Sequence, residues 1–345
     1  MKRRKKRKLK VWVKISLLVI IILILGTIVK ILLFKQSSKN NNETINKKQE
    51  ENLIEIIDNK IKDDNITKDF IKWISDKYGD KSLSKLKEIL NDKEYTKDMW
   101  HEVTGNSYIV LQDLYNKKYD DMNNVEIIKG NDTSTLSFVG DVSLADNWYI
   151  MPKYDERGKG IYGILSEDTV KVMTESTLMI ANNEFTVSDR GEKMPGKYYT
   201  FRASPKRLKI YEEMGVDLVT LANNHVYDFG KDAFYDMIDS FNEYKIPYIG
   251  AGKNIEEAKK PYYFIINGYK IAFLNGTRAE KYIMTPGATE TSEGVFRCYD
   301  PTNMINKIKE VREKSDYVII FFIHLPLKRI IHSNNILQLH SYMYL

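Results

Sequence analysis

Apolar positions along this chain follow two different periods, and the change falls near residue 135. Between 53 and 119 they recur at helical spacing. Leu53, Ile54, Ile57 and Ile61 share one face, Phe70, Ile71, Ile74 and Tyr78 form a second stripe, and Leu83, Leu86, Ile89 and Leu90 a third. Gly79 follows the second stripe as a stop signal. From Thr135 onward short apolar runs replace the stripes, at 136–139, 178–180, 218–221, 248–249 and 317–323. Runs at 262–266 and 270–274 flank Asn267-Gly268, a strong two-residue hairpin signal. Helical stretches at 166–175, 205–214, 232–244 and 303–314 separate the other strands, and Ser204-Pro205 offers an N-cap with proline at the first helical position. Strand–helix alternation with one hairpin predicts an α/β domain with a mixed sheet.

The N-terminal part has a different pattern. An apolar stretch over 15–34, interrupted only by Lys30, follows a basic run over 2–10. That length matches a helix that crosses a bilayer core, and the basic flank places the N-terminus in the cytoplasm. No small-residue cleavage site follows. The pattern therefore predicts a single-pass signal anchor in the cell membrane, with the bulk of the chain extracytoplasmic. The expected organisation is a basic segment and transmembrane anchor over 1–35, a polar linker over 36–52, a small helical membrane-proximal module over 53–130, and the α/β domain over 131–345.

Charge sharpens this division. The net charge is +6, yet the first 14 residues hold nine Lys or Arg and no acid. Without them 44 basic side chains face 47 acidic ones, a net of −3. A nucleic-acid-binding body would cluster positive charge on the fold itself, so nucleic acid is excluded as a partner. The single cysteine, Cys298, excludes an internal disulfide framework.

In open α/β sheets, ligands gather outside the carboxyl ends of the strands. Four runs end there in polar residues: Gly140-Asp141, Asn182-Asn183-Glu184, Asn223-Asn224-His225, and His324. Asp141 would hold a divalent cation or cap the next turn. Glu184 tips a buried strand or sits in a solvated loop. The Asn224 carboxamide and the His225 imidazole suit a borderline divalent metal such as manganese, iron or zinc, with Asp228 placed to orient the ring. The alternative is a helix-capping Asn beside a structural His. Arg202 would grip a carboxylate or phosphate, or form a surface salt bridge. Gly250-Ala251-Gly252 is expected as a tight strand-to-helix connection.

The order of these blocks carries a resemblance. Phe138-Val139-Gly140-Asp141-Val142, Ala181-Asn182-Asn183-Glu184 and Phe201-Arg202-Ala203-Ser204-Pro205 are followed by the run from Gly215 through Leu221-Ala222-Asn223-Asn224-His225, with Asp228 and Gly230, and then by Gly250-Ala251-Gly252. Over roughly 134–324 this resembles the CapA family of poly-γ-glutamate capsule synthesis proteins. The resemblance implies a calcineurin-like metallophosphoesterase-type sandwich, preceded by the transmembrane helix and the helical module. Asp141, Glu184, Asn224, His225 and His324 would then be metal-site residues, Asn224 and His225 also catalytic, and Arg202 substrate-binding.

It further implies a membrane-anchored extracytoplasmic protein of capsule polymer synthesis or export, acting as a metal-dependent hydrolase. The alternatives are a non-catalytic polymer-binding or export component, or an inactive truncated copy. The implied partners are the membrane, an anionic capsule polymer and membrane synthase subunits. Two departures stand out. Position 143 is Ser where the phosphoesterase fold opens with Asp-x-His. After His324 the chain reads Leu325-Pro326-Leu327-Lys328-Arg329-Ile330 in place of a further helix, strand and Ser-His-x-His-like block, and His332 and His340 do not restore it. The domain is therefore expected to be incomplete after about 324, through a frameshift or premature stop.

Overall fold

Period-two alternation sets the architecture of the domain. The computed structural model describes residues 35, 47–120, 122–128, 133–278, 284–323 and 336–339. They fall into two compact units, one ending at Met99 and one beginning at Trp100. In the first unit, α1 spans 47–60, α2 is Lys68–Tyr78 and α3 is Asp80–Asp92. The Thr67 side chain caps α2 by accepting the Phe70 N–H at 3.2 Å. Gly79, at φ 83°, ends it as the sequence predicts. The buried faces are Phe70, Ile71 and Ile74 of α2 and Leu83, Leu86 and Leu90 of α3.

After α4 (Met99–Thr104) and α5 (Tyr108–Tyr115) come β1 (Val125–Ile128), β2 (Leu136–Val142), α6 (Ile150–Arg157), α7 (Glu167–Thr174), β3 (Leu178–Asn183), β4 (Thr186–Val187), β5 (Arg202–Ala203), α8 (Lys209–Glu213), β6 (Leu218–Thr220) and α9 (Gly230–Glu243). Then follow β7 (Tyr248–Ile249), β8 (Ala251–Gly252), α10 (Ile255–Ala258), β9 (Tyr262–Ile266), β10 (Tyr269–Thr277), β11 (Gly294–Val295), α11 (Thr302–Arg312), β12 (Tyr317–Ile323) and β13 (Ile336–Leu339). One sheet runs β2-β3-β6-β7 with parallel pairing throughout. The other runs β1-β9-β10-β12-β13, with β9 and β10 antiparallel and the other pairs parallel.

The strands alternate between two cores. Leu178, Ile180, Leu218 and Ile249 of the first sheet share a cluster with Phe264, Phe273, Ile271 and Ile319 of the second. The residues between them point the other way. Met179, Ala181 and Val219 pack with Val170 of α7, Tyr211 of α8, and Phe234 and Phe241 of α9. Ala272, Leu274, Val318 and Ile320 pack with Met304 and Val311 of α11. The result is a helix–sheet–sheet–helix sandwich, an α/β fold consistent with a metallophosphoesterase-like domain.

The predicted hairpin is β9–β10. Asn267 and Gly268 both take positive φ, 49° and 74°, as a two-residue turn with a primed twist requires. The helix expected over 205–214 is split into a 3-10 turn, Pro205–Leu208, and α8. The Ser204 side chain makes no cap there. Its backbone carbonyl accepts the Arg207 N–H at 2.9 Å instead, closing the 3-10 turn, and its N–H donates to Asp146 Oδ2 at 2.7 Å. Ala251–Gly252 is a short strand paired antiparallel with β11 on the way to α10.

The membrane expectations need correction. Among the described residues, no helix is long and apolar enough to cross a membrane. At 14 residues, α9 spans about 21 Å, short of the roughly 30 Å of a bilayer core. The apolar stretch 15–34, on which the signal anchor and the single-pass, cytoplasm-in topology rested, lies outside the described residues. So do His324, His332 and His340. The part described after Ile323 is β13, parallel to β12 with Val318 opposite Ile336 and Phe321 opposite Leu339.

Candidate functional site

The carboxyl ends of β2, β3 and β6 lie side by side, so their terminal polar residues meet. A register irregularity between Val139 and Asp141 brings Asp141 opposite Asn182, and Asn182 in turn lies opposite Thr220. The Asn182 carboxamide is the hub. Its Nδ2 donates to Asp141 Oδ1 at 2.9 Å and to Glu184 Oε2. Its Oδ1 accepts from Thr220 Oγ1 at 3.0 Å and from Asn223 Nδ2 at 3.1 Å. Asn223 Oδ1 accepts the His225 N–H at 2.9 Å, which fixes the turn carrying the imidazole. Asn275 Oδ1 accepts the Ala222 N–H at 2.6 Å and pins the start of that turn. Gly250 makes room for it, since a Cβ there would lie 2.1 Å from the same oxygen.

His225 is buried, with its Nδ1 2.8 Å from Asp228 Oδ2 and its ring 4.6 Å from that of Phe201. Asp228 Oδ2 also accepts the Phe201 N–H at 2.7 Å. The buried Lys197 ammonium lies 2.6 Å from Asp228 Oδ1 and donates to the Asn224 carbonyl. Asp228 thus stands where the sequence places an imidazole-orienting carboxylate. Lys197 carries no sequence signal, because it lies in a loop without periodicity.

Glu184 is 4% exposed. Burial, reinforced by the Asp141 charge and opposed by the hydrogen bond from Asn182, pushes its carboxyl up to about 8. Its Oε1 lies 3.9 Å from His225 Nε2, and it has no hydrogen-bond partner, as is also true of Asn224 Oδ1.

Asp141, Glu184 and His225 are therefore gathered, but not as a metal centre, and Asn224 is tied to its surroundings through its backbone carbonyl, which accepts from Lys197 and Thr285. Among the described residues, no group of three or more His, Cys, Asp or Glu side chains is placed to hold a metal ion. The reason lies in the hub. A neutral amide stands between the Asp141 and Glu184 carboxylates and donates to both, while His225 Nδ1 is taken by Asp228. His324 lies outside the described residues. The expectation of metal-dependent hydrolysis is corrected accordingly.

Arg202 points elsewhere. It donates from one terminal nitrogen to the Gly191 carbonyl at 3.1 Å and lies over the Phe229 ring at 4.3 Å. With Asp146, Asp189 and Lys193 it lines a separate cleft of about 270 Å³ that shares no residue with the Glu184–His225 cluster.

Residues 135–326 match the family described as bacterial capsule synthesis protein PGA_cap. The capsule biosynthesis protein CapA of Bacillus anthracis is 35% identical over 122 residues, which cover 34% of this chain and 29% of that protein. The PGA biosynthesis protein CapA of Bacillus subtilis (strain 168) is 25% identical over 191 residues, 55% of this chain and 48% of its own. The chain thus spans less than half the length of either of these curated relatives.

Proposed function

Because the chain belongs to the bacterial capsule synthesis protein family PGA_cap, we propose that it is a non-catalytic component of capsule polymer synthesis or export that binds an anionic polymer. The observation that carries this reading is the Asn182 hub. Its amide ties the Asp141 and Glu184 carboxylates to a neutral donor, so a water-activating cation has no assembled ligand set among the described residues. A polymer of carboxylates needs fixed cations instead, and Arg202 is suited to that task. Its guanidinium is held against Phe229 and Gly191 before any ligand arrives, so little side-chain freedom is lost on binding. Lys193 lines the same cleft. Of the two acids that line the cleft, Asp146 and Asp189, the first is already engaged by Arg207 Nε at 2.6 Å and by the Ser204 N–H.

The test is calorimetric titration of the purified chain with poly-γ-glutamate, with and without a chelator, and size-exclusion analysis of the polymer afterwards. The reading expects binding that weakens with salt, survives chelation, falls roughly tenfold on Arg202→Gln, and leaves polymer length unchanged. Shortened polymer, or binding abolished by chelation, contradicts it.

A further inference from the structure

The charged side chains around the Arg202 cleft are held apart from one another. Arg202 donates to the Gly191 carbonyl at 3.1 Å and to the Arg190 carbonyl at 3.4 Å, so its guanidinium lies against the turn over 188–191. That turn is fixed on both sides of Asp189. Ser188 Oγ donates to Asp236 Oδ2 at 2.7 Å and accepts the Arg190 N–H at 3.0 Å. Arg190 grips Asp236 through Nε and a terminal nitrogen, each at 2.8 Å. A Cβ at Gly191 would lie 2.4 Å from the Phe229 carbonyl oxygen, so the turn packs directly on the backbone at the start of α9. Asp189 thus lines the cleft from a rigid turn beside the arginine, yet the two do not pair. Among the described residues, Asp189, Lys193 and Arg202 make no ion pair.

Charge balance narrows the ligand. Asp146, the other acid at the cleft, is engaged by Arg207 and the Ser204 N–H. The open charges are then two cations, Arg202 and Lys193, and one anion, Asp189. An internal run of a polymer of carboxylates presents negative charge alone, and Asp189 repels it. A γ-linked glutamate chain differs at its amino end. There the first residue carries a free ammonium and an α-carboxylate on one carbon, and the second residue adds another α-carboxylate. Two carboxylates and one ammonium match two cations and one carboxylate. Size agrees with this. The cleft's volume of about 270 Å³ is below the roughly 300–1,000 Å³ of pockets that enclose drug-sized ligands, which leaves room for a chain end and not for a long run.

We propose that the Arg202 cleft holds the amino end of the anionic polymer, with the terminal ammonium on Asp189 and the first two carboxylates on Arg202 and Lys193. The inference rests on the polymer-binding reading of the same cleft and adds which part of the polymer is bound. A cleft that takes one end leaves the rest of the chain to run outward. Affinity per polymer chain is then set by the end group and not by length.

The experiment is calorimetric titration of the full chain with γ-linked tetraglutamate, in the D and L series, bearing either a free or an acetylated amino end. The free-ended peptide of at least one series binds at one site per chain. Acetylation weakens it roughly tenfold, as loss of a charge-assisted hydrogen bond does. Asp189→Asn lowers affinity for the free-ended peptide to the same extent and does not weaken the acetylated one, which has no ammonium to lose. Asp189 is exposed, and circular dichroism verifies that the variant folds. Affinity for the free-ended peptide also falls as pH passes about 8, where an α-amino group gives up its proton, while that for the acetylated peptide does not. Equal affinity for the two peptides overturns the proposal, as does a preference for the free end that persists in Asp189→Asn. Binding of long poly-γ-glutamate with neither tetramer bound also overturns it and assigns the cleft to the polymer's interior. In each of these outcomes, polymer binding that is weakened by Arg202→Gln leaves the wider reading standing. That reading fails separately, and this inference with it, when the long polymer does not bind or Arg202→Gln has no effect on its affinity.

Discussion

Lys197 Nζ lies 2.6 Å from Asp228 Oδ1, and both side chains are buried. The other oxygen of that carboxylate is 2.8 Å from His225 Nδ1. One carboxylate therefore neutralises an ammonium and orients an imidazole. Breaking a buried pair by removing one partner costs about 3–5 kcal/mol, because the other charge is left uncompensated. Lys197→Met and Asp228→Asn should each destabilise the domain by that order. The double variant should be more stable than the sum of the two losses predicts, since it leaves no lone charge. Urea denaturation of the four proteins measures this coupling. Strictly additive losses would show that the two groups do not act as a pair.

Glu184 gives a pH signature. Its carboxyl is pushed up to about 8 in the folded domain, against an ordinary value of 4.5. Between those values the folded state holds a proton that the unfolded state has released. Its contribution to stability is therefore full below about 4.5 and is lost as pH rises toward 8. Each pH unit in that window is worth about 1.4 kcal/mol. Glu184→Gln holds no such proton, so its stability relative to wild type should rise steadily between about pH 5 and pH 8. Urea midpoints of both proteins across that range decide the matter, and a constant gap would sink the idea.

Much of this arrangement is legible before folding, and the exceptions have physical reasons. Apolar runs at 136–139, 178–180 and 317–323 become β2, β3 and β12 because period-two patterns leave few other ways to bury both faces. Asp141, Glu184 and His225 meet because adjacent parallel strands present their ends together. What the polar runs do once there depends on contacts that spacing does not encode. Asn182 reads as one more Asn in a strand, yet its amide separates the two carboxylates expected to share a cation. Lys197 and Asp189 sit in loops, where neither period applies. The membrane expectation rested on apolar length over 15–34, outside the described residues, and α9 shows how far the described helices fall short of a bilayer.

Gly268 tests the hairpin more sharply than its turn type alone. Its φ of 74° already disfavours a side chain. In addition, a Cβ at Gly268 would lie 1.8 Å from the Gly105 carbonyl oxygen. The Gly268 carbonyl itself accepts the Ser107 N–H at 2.8 Å, at the start of α5. Gly268→Ala must therefore push the β9–β10 turn off the α4–α5 connection. A loss of about 3 kcal/mol or more is expected, combining backbone strain with overpacking. Thermal and urea unfolding measure it. A loss under about 1 kcal/mol, the scale of strain in an isolated turn, would mean that the connection yields freely.

Lys270 and Asp113 anchor α5 to the sandwich. Lys270 Nζ lies 2.7 Å from Asp113 Oδ2, with both side chains buried, and 4.5 Å from the Tyr263 ring centre. This pair differs from Lys197–Asp228 in that its carboxylate has a second ammonium beside it. Asp113 Oδ2 also accepts from Tyr119 Oη at 3.0 Å, and Lys118 Nζ lies 3.2 Å from Asp113 Oδ1. Removing the Lys270 ammonium thus leaves a carboxylate that is still partly satisfied. Lys270→Met should cost less than Lys197→Met, about 1–3 kcal/mol, and the methionine retains much of the packing against Tyr263. The loss should be local, because the ammonium tethers α5 and not the sheet. Hydrogen exchange should quicken at amides in 108–115 while those of α9 hold their wild-type protection. Equal quickening in both helices would show that the pair supports the whole domain rather than the docking of one helix.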